Sequence, residues 1–598
     1  MERAPHPSFD RSRQGHTLPW RPIPAVCSAV LLCAQAHAQV EPGQVGLNFI
    51  RFGSASVNTS WDEPDEVFPD FVALGCQSIR QIAAADVNWW STYLGGNYAD
   101  PASYDFSGPD LSIRNTYGIG VVPTLFQIGG DSAVNGGAPD KNRLYTPDGE
   151  VLDVTDPLIE AKVRGYVRVM AERYLGEVRY WEVANEVAAY GQYTPKMYAD
   201  LLVVCADELE QVDPDNQVVV AGIAGTVNQV FLNHTDWLEQ VILAGGGAGV
   251  DVYNYHYYDA WDLMLPSVLA LKAMLASHGE GDKPLWATEL GSSYIPSSVA
   301  PHSPTGSPEE QAADVFRRFA VAAGNGAEFM CWHTWLSSSE APGATWSGFG
   351  LRMSTGTPVR SRTTYALYTE ALTPSLGCTP LSEGTGGIWA YRYDVAEGSD
   401  RVRRWVAWCD EATGTASLDL TEASTLRVRV TEVVPDGAGD LTTRVDHPAA
   451  IALTPYPVLI EATCAAPQPY GQAKLTSLGT SPLLGWTGTA SLSSNDLTLT
   501  VSGAVPGQVA LVLHGAERGS LPFFGGELLV SVPFVRLSPF ALDAAGSGQQ
   551  SFPVEASLLG TSRCFQTWFR DPAHPDGTGV GLSSALEVEF CQRVDAPR

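Results

Sequence analysis

From about residue 45 to residue 372, short apolar runs alternate with longer stretches of helical periodicity. The runs are GLNFI (46–50), SIRQI (78–82), VVPTLF (121–126), VRYWEVA (178–184), VVVAGIA (218–224), VDVYNYHYY (250–258), PLWATEL (284–290) and EFMCWHTW (328–335). Their length and apolar density predict buried strands. Of the intervening segments, DPLIEAKVRGYVRVMAERYL (156–175) opens on Asp156-Pro157, a capping residue ahead of a proline at the first helical position. PEEQAADVFRRFAVAAGNG (308–326) closes on glycine stop signals. Strands that alternate with helices pair in parallel, and eight such units predict an α/β fold, a (β/α)8 TIM barrel. A doubly wound open sheet is the runner-up. Its Gly-rich nucleotide turn is missing, because GGGAGV (245–250) is not GxGxxG and precedes a strand.

After residue 372 the long helical patterns stop. IWAYRYDV (388–395), RVRRWVAWCD (401–410), ASLDL (416–420), LRVRVTEVV (426–434) and PVLIEA (457–462) read as antiparallel strands divided by turns such as PDGAGD. The predicted organisation is a barrel over 40–372, a β-sandwich over 373–463, a linker rich in Pro, Gly and Ala over 464–473, and a second all-β module over 474–598. Ahead of the barrel, PAVCSAVLLCAQ (24–35) follows Arg11, Arg13 and Arg21 and precedes Ala36-His37-Ala38, an A-x-A cleavage pattern. Residues 1–38 therefore predict a secretory signal, and the product is expected to be secreted or held in the cell envelope.

Charge and cysteine usage narrow the classes. The 598 residues carry 36 Lys and Arg against 66 Asp and Glu, a formal net charge of −30. That balance argues against nucleic acid, whose phosphates need basic partners, and disfavours anionic membrane surfaces. After the leader no run approaches the ~20 apolar residues of a membrane span. Of ten Cys, Cys27 and Cys33 leave with the signal, and the rest form no CxxC pair, so structural zinc is not expected. Cys564 and Cys591 are a plausible disulfide in an oxidising compartment. There is no HExxH and no G-x-S-x-G, and neither a catalytic metal nor a cofactor is expected.

In a barrel of this order, chemistry sits where the strands end. The ends bring together Arg80, Asn185, Glu186, His256, Tyr258, Glu289 and Trp332. The apolar part of YWEVANE (180–186) fills the wall, and its last two residues emerge into the cavity. Carboxylates on the fourth and seventh strands face each other across the mouth. Glycosidic bond cleavage requires such a pair: one carboxyl protonates the departing oxygen, the other attacks the anomeric carbon or activates water. The partner is then a carbohydrate. A reading from another class is a carbohydrate-binding barrel without catalysis, used in adhesion or surface structure; a binder needs neither glutamate.

WEVANE, the His-x-Tyr of YHYYD, ATELG around Glu289, Arg80 on the second strand and a Trp on the eighth resemble the clan-A retaining glycoside hydrolases over residues 45–372. The resemblance implies that Glu186 is the general acid/base and Glu289 the nucleophile, held ionised by Arg80. It implies that Asn185 bonds the sugar 2-hydroxyl, that Tyr258 donates to Glu289, that His256 lines the same wall, and that Trp332 offers a flat face to the sugar ring. A retaining pair stands about 5–5.5 Å apart and an inverting pair about 6.5–9.5 Å. Two departures are visible. Gln127 stands where many members carry a His, and VAAY follows WEVANE where many carry a Pro. Trp89-Trp90 is either an additional sugar platform or loop packing, and Trp332 and Trp335 compete with a core role, since alternate strand residues face opposite sides. The tail resembles terminal β-modules of exported bacterial proteins in its run FQTWFRDP…LSSALEVEFC.

Overall fold

The computed structural model describes residues 45–49, 64–81, 89–126, 144–190, 193–225, 228–295, 306–342, 347–397, 400–420, 427–463, 465–492 and 494–591. Residues 1–38, where a secretory signal is expected, Gln127 and Cys464 lie outside them.

The predicted N-terminal strands form as β1 (Val45–Phe49), β2 (Ser78–Gln81), β3 (Gly120–Pro123), β4 (Tyr180–Val183), β5 (Gln217–Val220), β6 (Ile223–Gly225), β7 (Tyr253–Tyr257), β8 (Leu285–Leu290) and β9 (Ala327–Trp332). The run VVVAGIA is split at Ala221-Gly222 into β5 and β6. Seven strands pair in the order β3-β2-β1-β9-β8-β7-β6, and β4 pairs with β5; all of these pairings are parallel. Parallel bridges Thr124↔Glu182 and Val219↔Val252 join the two sets, so the pairings run round in a closed circuit.

The pleat sorts side chains onto two faces. One face carries Ile79, Val121, Trp181, Val183, Tyr253, Tyr255, Tyr257, Met330 and Trp332, which merge with the helices into one large core. The other carries a small apolar cluster of Val122, Tyr180, Val219, Val252, Trp286, Phe329 and Cys331. Polar residues of the same strands continue this inner face toward the strand ends. The helices start where their caps dictate. Asp156 accepts from the Leu158 amide ahead of Pro157–Arg173, Thr194 from Met197 ahead of Pro195–Val212, and Ser307 from Glu310 ahead of Pro308–Gly324. Trp89 is packing: it is buried and stacks on Tyr166 with ring centroids 4.7 Å apart.

Beyond the helix Arg360–Leu372, strands take over. A six-stranded antiparallel sheet orders Ser375–Thr385, Ile388–Glu397, Asp400–Cys409, Val458–Ala462, Val428–Glu432 and Thr443–Asp446. One of its faces joins the large core: Trp389 and Trp408 meet Trp261 edge-on at 5.2 and 5.5 Å. Arg404 bonds Glu461 at 3.0 Å and donates to the Ala371 carbonyl at the end of the last helix. The C-terminal strands, among them Val509–Gly515, Ser562–Arg570 and Val580–Glu589, enclose a separate apolar cluster around Phe552, Phe565 and Phe590. The Cys564–Cys591 disulfide considered from sequence does not form. Cys591 is disulfide-bonded, but Cys564 is a buried free thiol; nearness in sequence along neighbouring strands did not make them partners. Among the described residues, no helix is long and apolar enough to cross a membrane.

Candidate active site

Arg80 organises the polar end of the inner face. It is fully buried, and a buried guanidinium is tolerated only when paired. Nη1 donates to Glu289 Oε1 at 2.5 Å. Nη2 donates to Glu182 Oε1 at 2.6 Å and to Asn185 Oδ1 at 2.7 Å, and Nε donates to Glu182 Oε2. Burial alone would lower the guanidinium pKa; the charges of Glu182 and Glu289 outweigh it and raise the pKa. Arg80 therefore carries its charge at every working pH.

At the end of β4 the backbone leaves extended geometry. Ala184 has φ 67° and Glu186 φ 48°. L-residues in this left-handed region cost about 1–3 kcal/mol each and persist where surrounding contacts impose them. The bend sets Asn185 against Arg80 and Glu186 beside β7. Glu186 Oε1 lies 2.8 Å from His256 Nδ1, and its side chain is 13% exposed. Burial raises its pKa to about 7, against the opposing pull of Arg80 and His234.

On β8 two consecutive residues, Thr288 and Glu289, both face inward. An ideal strand forbids that. Register shifts between Ala287 and Leu290 against β9, and between Asn254 and His256 of β7 against β8, supply the extra residue. Glu289 is 2% exposed. Tyr258 donates to its Oε2. Nδ1 of His256 is 3.6 Å from its Oε1, and Nδ1 of His333 is 3.5 Å from its Oε2. One ligand atom each from Glu186, His256 and Glu289 lies within 4.8 Å of the others. The positive charge beside this triad is the Arg80 guanidinium, 2.5 Å from Glu289.

The structure thus brings Arg80, Asn185, Glu186, His256, Tyr258 and Glu289 together. Trp332 requires correction. It is fully buried in the core shared with the helices, edge-on to Phe319 at 6.2 Å, and its Nε1 donates to the Phe349 carbonyl at 3.3 Å. Phe329 and Cys331 face inward, so pleat parity turns Trp332 outward and brings His333, its neighbour, to Glu289. Trp335 is likewise buried, with Nε1 donating to Asp70 Oδ2 at 2.7 Å.

Four polar residues of the site were not anticipated: Glu182, Asn254, Thr288 and His333. Parity offered a signal for two of them. Asn254 shares a face with His256 and Tyr258 in YNYHYYD, and His333 shares one with Cys331. Space for the imidazole comes from Gly222 at the β5–β6 break: a Cβ there would stand 2.1 Å from His256 Nε2.

No family model and no curated protein matches the chain. Solved structures do. A family 39 glycoside hydrolase from Bacteroides cellulosilyticus WH2 aligns at 17% identity and TM-score 0.49, over 70% of this chain and 81% of that one. A monomeric β-xylosidase from Caulobacter crescentus CB15 aligns at 15% identity and TM-score 0.44, over 72% and 98%. A GH39 enzyme from Xanthomonas axonopodis pv. citri aligns at 14% identity and TM-score 0.41, over 93% and 96%. Likeness at that level carries no statement about the chemistry of this chain.

Proposed function

We propose that the protein is an exported retaining glycoside hydrolase acting on a β-linked glycan or glycoside, with the closed circuit of β1–β9 serving as a (β/α)8 barrel. The observation that carries this reading is the pair of carboxylates at the strand ends, with an oxygen of Glu186 and one of Glu289 within 4.8 Å of each other. So close an approach of two carboxyl oxygens favours the retaining arrangement, with its carboxyl groups about 5–5.5 Å apart, over the inverting one at about 6.5–9.5 Å.

The two glutamates have opposite surroundings, as the two roles require. Glu186, with its pKa raised to about 7, is a proton donor near neutrality. It protonates the leaving oxygen, then takes the proton from the water that hydrolyses the intermediate. Glu289 receives hydrogen bonds from Arg80 and Tyr258, which stabilise its anion for attack on the anomeric carbon. Asn185, anchored on Arg80 through Oδ1, retains its amide hydrogens for the sugar 2-hydroxyl. The leader 1–38 would direct export, with the barrel over 40–372 followed by the β-sandwich over 373–463 and the module over 474–598.

Release of chromophore from a panel of aryl β-glycosides tests the assignment. Wild type is expected to turn over at least one of them, with Glu289→Ala slower by several orders of magnitude. Equal rates from the two proteins would remove Glu289 from the chemistry.

A further inference from the structure

Behind His256 the hydrogen bonds continue in one line, and their chemistry leaves little choice of direction. Asn254 Nδ2 donates to the Glu182 carboxylate at 3.0 Å, which identifies Oδ1 as the acceptor end of that amide. Oδ1 accepts from the Thr288 backbone amide at 3.1 Å. It also lies 2.9 Å from Thr288 Oγ1. Two oxygens at that distance need a hydrogen between them, and only the hydroxyl has one. Thr288 Oγ1 therefore turns a lone pair toward His256 Nε2, 3.0 Å away, and Nε2 carries the hydrogen.

We propose that Asn254 and Thr288 are positioning residues that hold His256 in its Nε2–H form, so that Nδ1 is a bare acceptor for a hydrogen carried by Glu186. The line then reads Glu186 O–H to His256 Nδ1, His256 Nε2–H to Thr288 Oγ1, and Thr288 O–H to Asn254 Oδ1. Were Nδ1 protonated instead, the imidazole would favour ionised Glu186, and Thr288 and Asn254 would meet oxygen to oxygen with no hydrogen between. Deepening the glycosidase reading on which it rests, the inference explains how the acid arrives loaded.

The groups around the imidazole fit a neutral ring. Glu182 from β4, Glu186 from the turn after it and Glu289 from β8 approach it with Arg80 from β2 and His333 after β9, while His234 faces Glu186 from the helix Asn228–Leu243. Burial, first, lowers the His256 pKa to about 4; Glu289 pulls it up and Arg80 pushes it down. No proton is gained or lost in the resting line. Only the Glu186 proton leaves, to the glycosidic oxygen.

The first test needs no turnover: side-chain 15N spectra of the full chain with labelled histidine, with His256→Gln to assign the ring. Wild type is expected to show Nε2 protonated and Nδ1 bare at neutral pH, and Thr288→Val to shift the ring toward Nδ1–H. A protonated Nδ1 in wild type overturns the proposal, even if the chain proves not to be a glycosidase.

The second test is kinetic. Thr288→Val is expected to move the basic limb of kcat/KM acidward by about one pH unit. It should also slow glycosides with poor leaving groups about tenfold more than 2,4-dinitrophenyl glycosides, which need little acid help. Thr288→Ser should restore both. Equal slowing of the two substrate classes would overturn the proposal.

Discussion

Glu186 sits on a backbone turned into the left-handed region, beside a neutral imidazole, with its carboxyl pKa raised to about 7. Two consequences follow at the scale of the single residue. The basic limb of kcat/KM is expected near pH 7, and Glu186→Gln should cost about 10²- to 10⁴-fold on substrates that need a proton. Stability should move the other way. A carboxyl with a raised folded pKa holds a proton that the unfolded chain releases, so its contribution is present at low pH and is lost as pH rises from the ordinary value of 4.5 through about 7. Glu186→Gln should thus match wild type in unfolding free energy at pH 4.5 and exceed it at pH 8, by up to about 3 kcal/mol; a stability gap from urea unfolding that is the same at the two pH values would contradict the shift. Arg80 offers the converse case. Arg80→Met leaves Glu182 and Glu289 buried without their partner, and urea unfolding should show a loss of about 3–5 kcal/mol. The sequence displayed Arg80, Glu186 and Glu289 because each lies in, or just after, a strand-like run. Glu182 was hidden for a physical reason: a carboxylate inside the run YWEV makes sense only once the side chain 102 positions away is known to meet it.

At the scale of the element, the strands were legible and their irregularities were not. A strand buried on both faces must be apolar nearly throughout, and that density marks β1 to β9 in the sequence. Helix starts were legible through their caps, as at Asp156-Pro157. What density does not reveal is parity and register. Trp332 was expected on the cavity side, but the pleat turns it to the helices and presents His333 instead. The shifted register in β8, which lets Thr288 and Glu289 face the same way, has no compositional mark. The β5–β6 break does have one, in Gly222. Any side chain there displaces the imidazole, since a Cβ would approach Nε2 to 2.1 Å. Gly222→Ala should therefore lose most activity at a stability cost of about 1–3 kcal/mol, typical of overpacking, measured by kcat/KM alongside urea unfolding. Full activity would show that the ring need not stand where it does.

At the scale of the molecule, the sheet after residue 372 is more than an appendage. Trp261 meets Trp389 and Trp408 edge-on, and Arg317 stands over the Trp261 ring at 5.1 Å. Helix 308–324, which carries Arg317, leads directly into β9 in sequence, and His333 follows that strand. Trp408→Ala should cost about 3–5 kcal/mol and lower the hydrogen-exchange protection of helix 308–324 as well as that of the sheet; protection lost from the sheet alone would show the two to be independent. The change from helical to strand texture near residue 372 was legible. The docking face was not, because contacts between remote aromatic residues leave no local pattern. The account as a whole stands on Glu289 forming a covalent bond to sugar. Inactivation with an activated 2-deoxy-2-fluoro β-glycoside, followed by peptide mass spectrometry, tests it most directly. The prediction is one glycosyl adduct, carried by Glu289 and abolished in Glu289→Ala. Hydrolysis with no adduct, or an adduct on another residue, would contradict it.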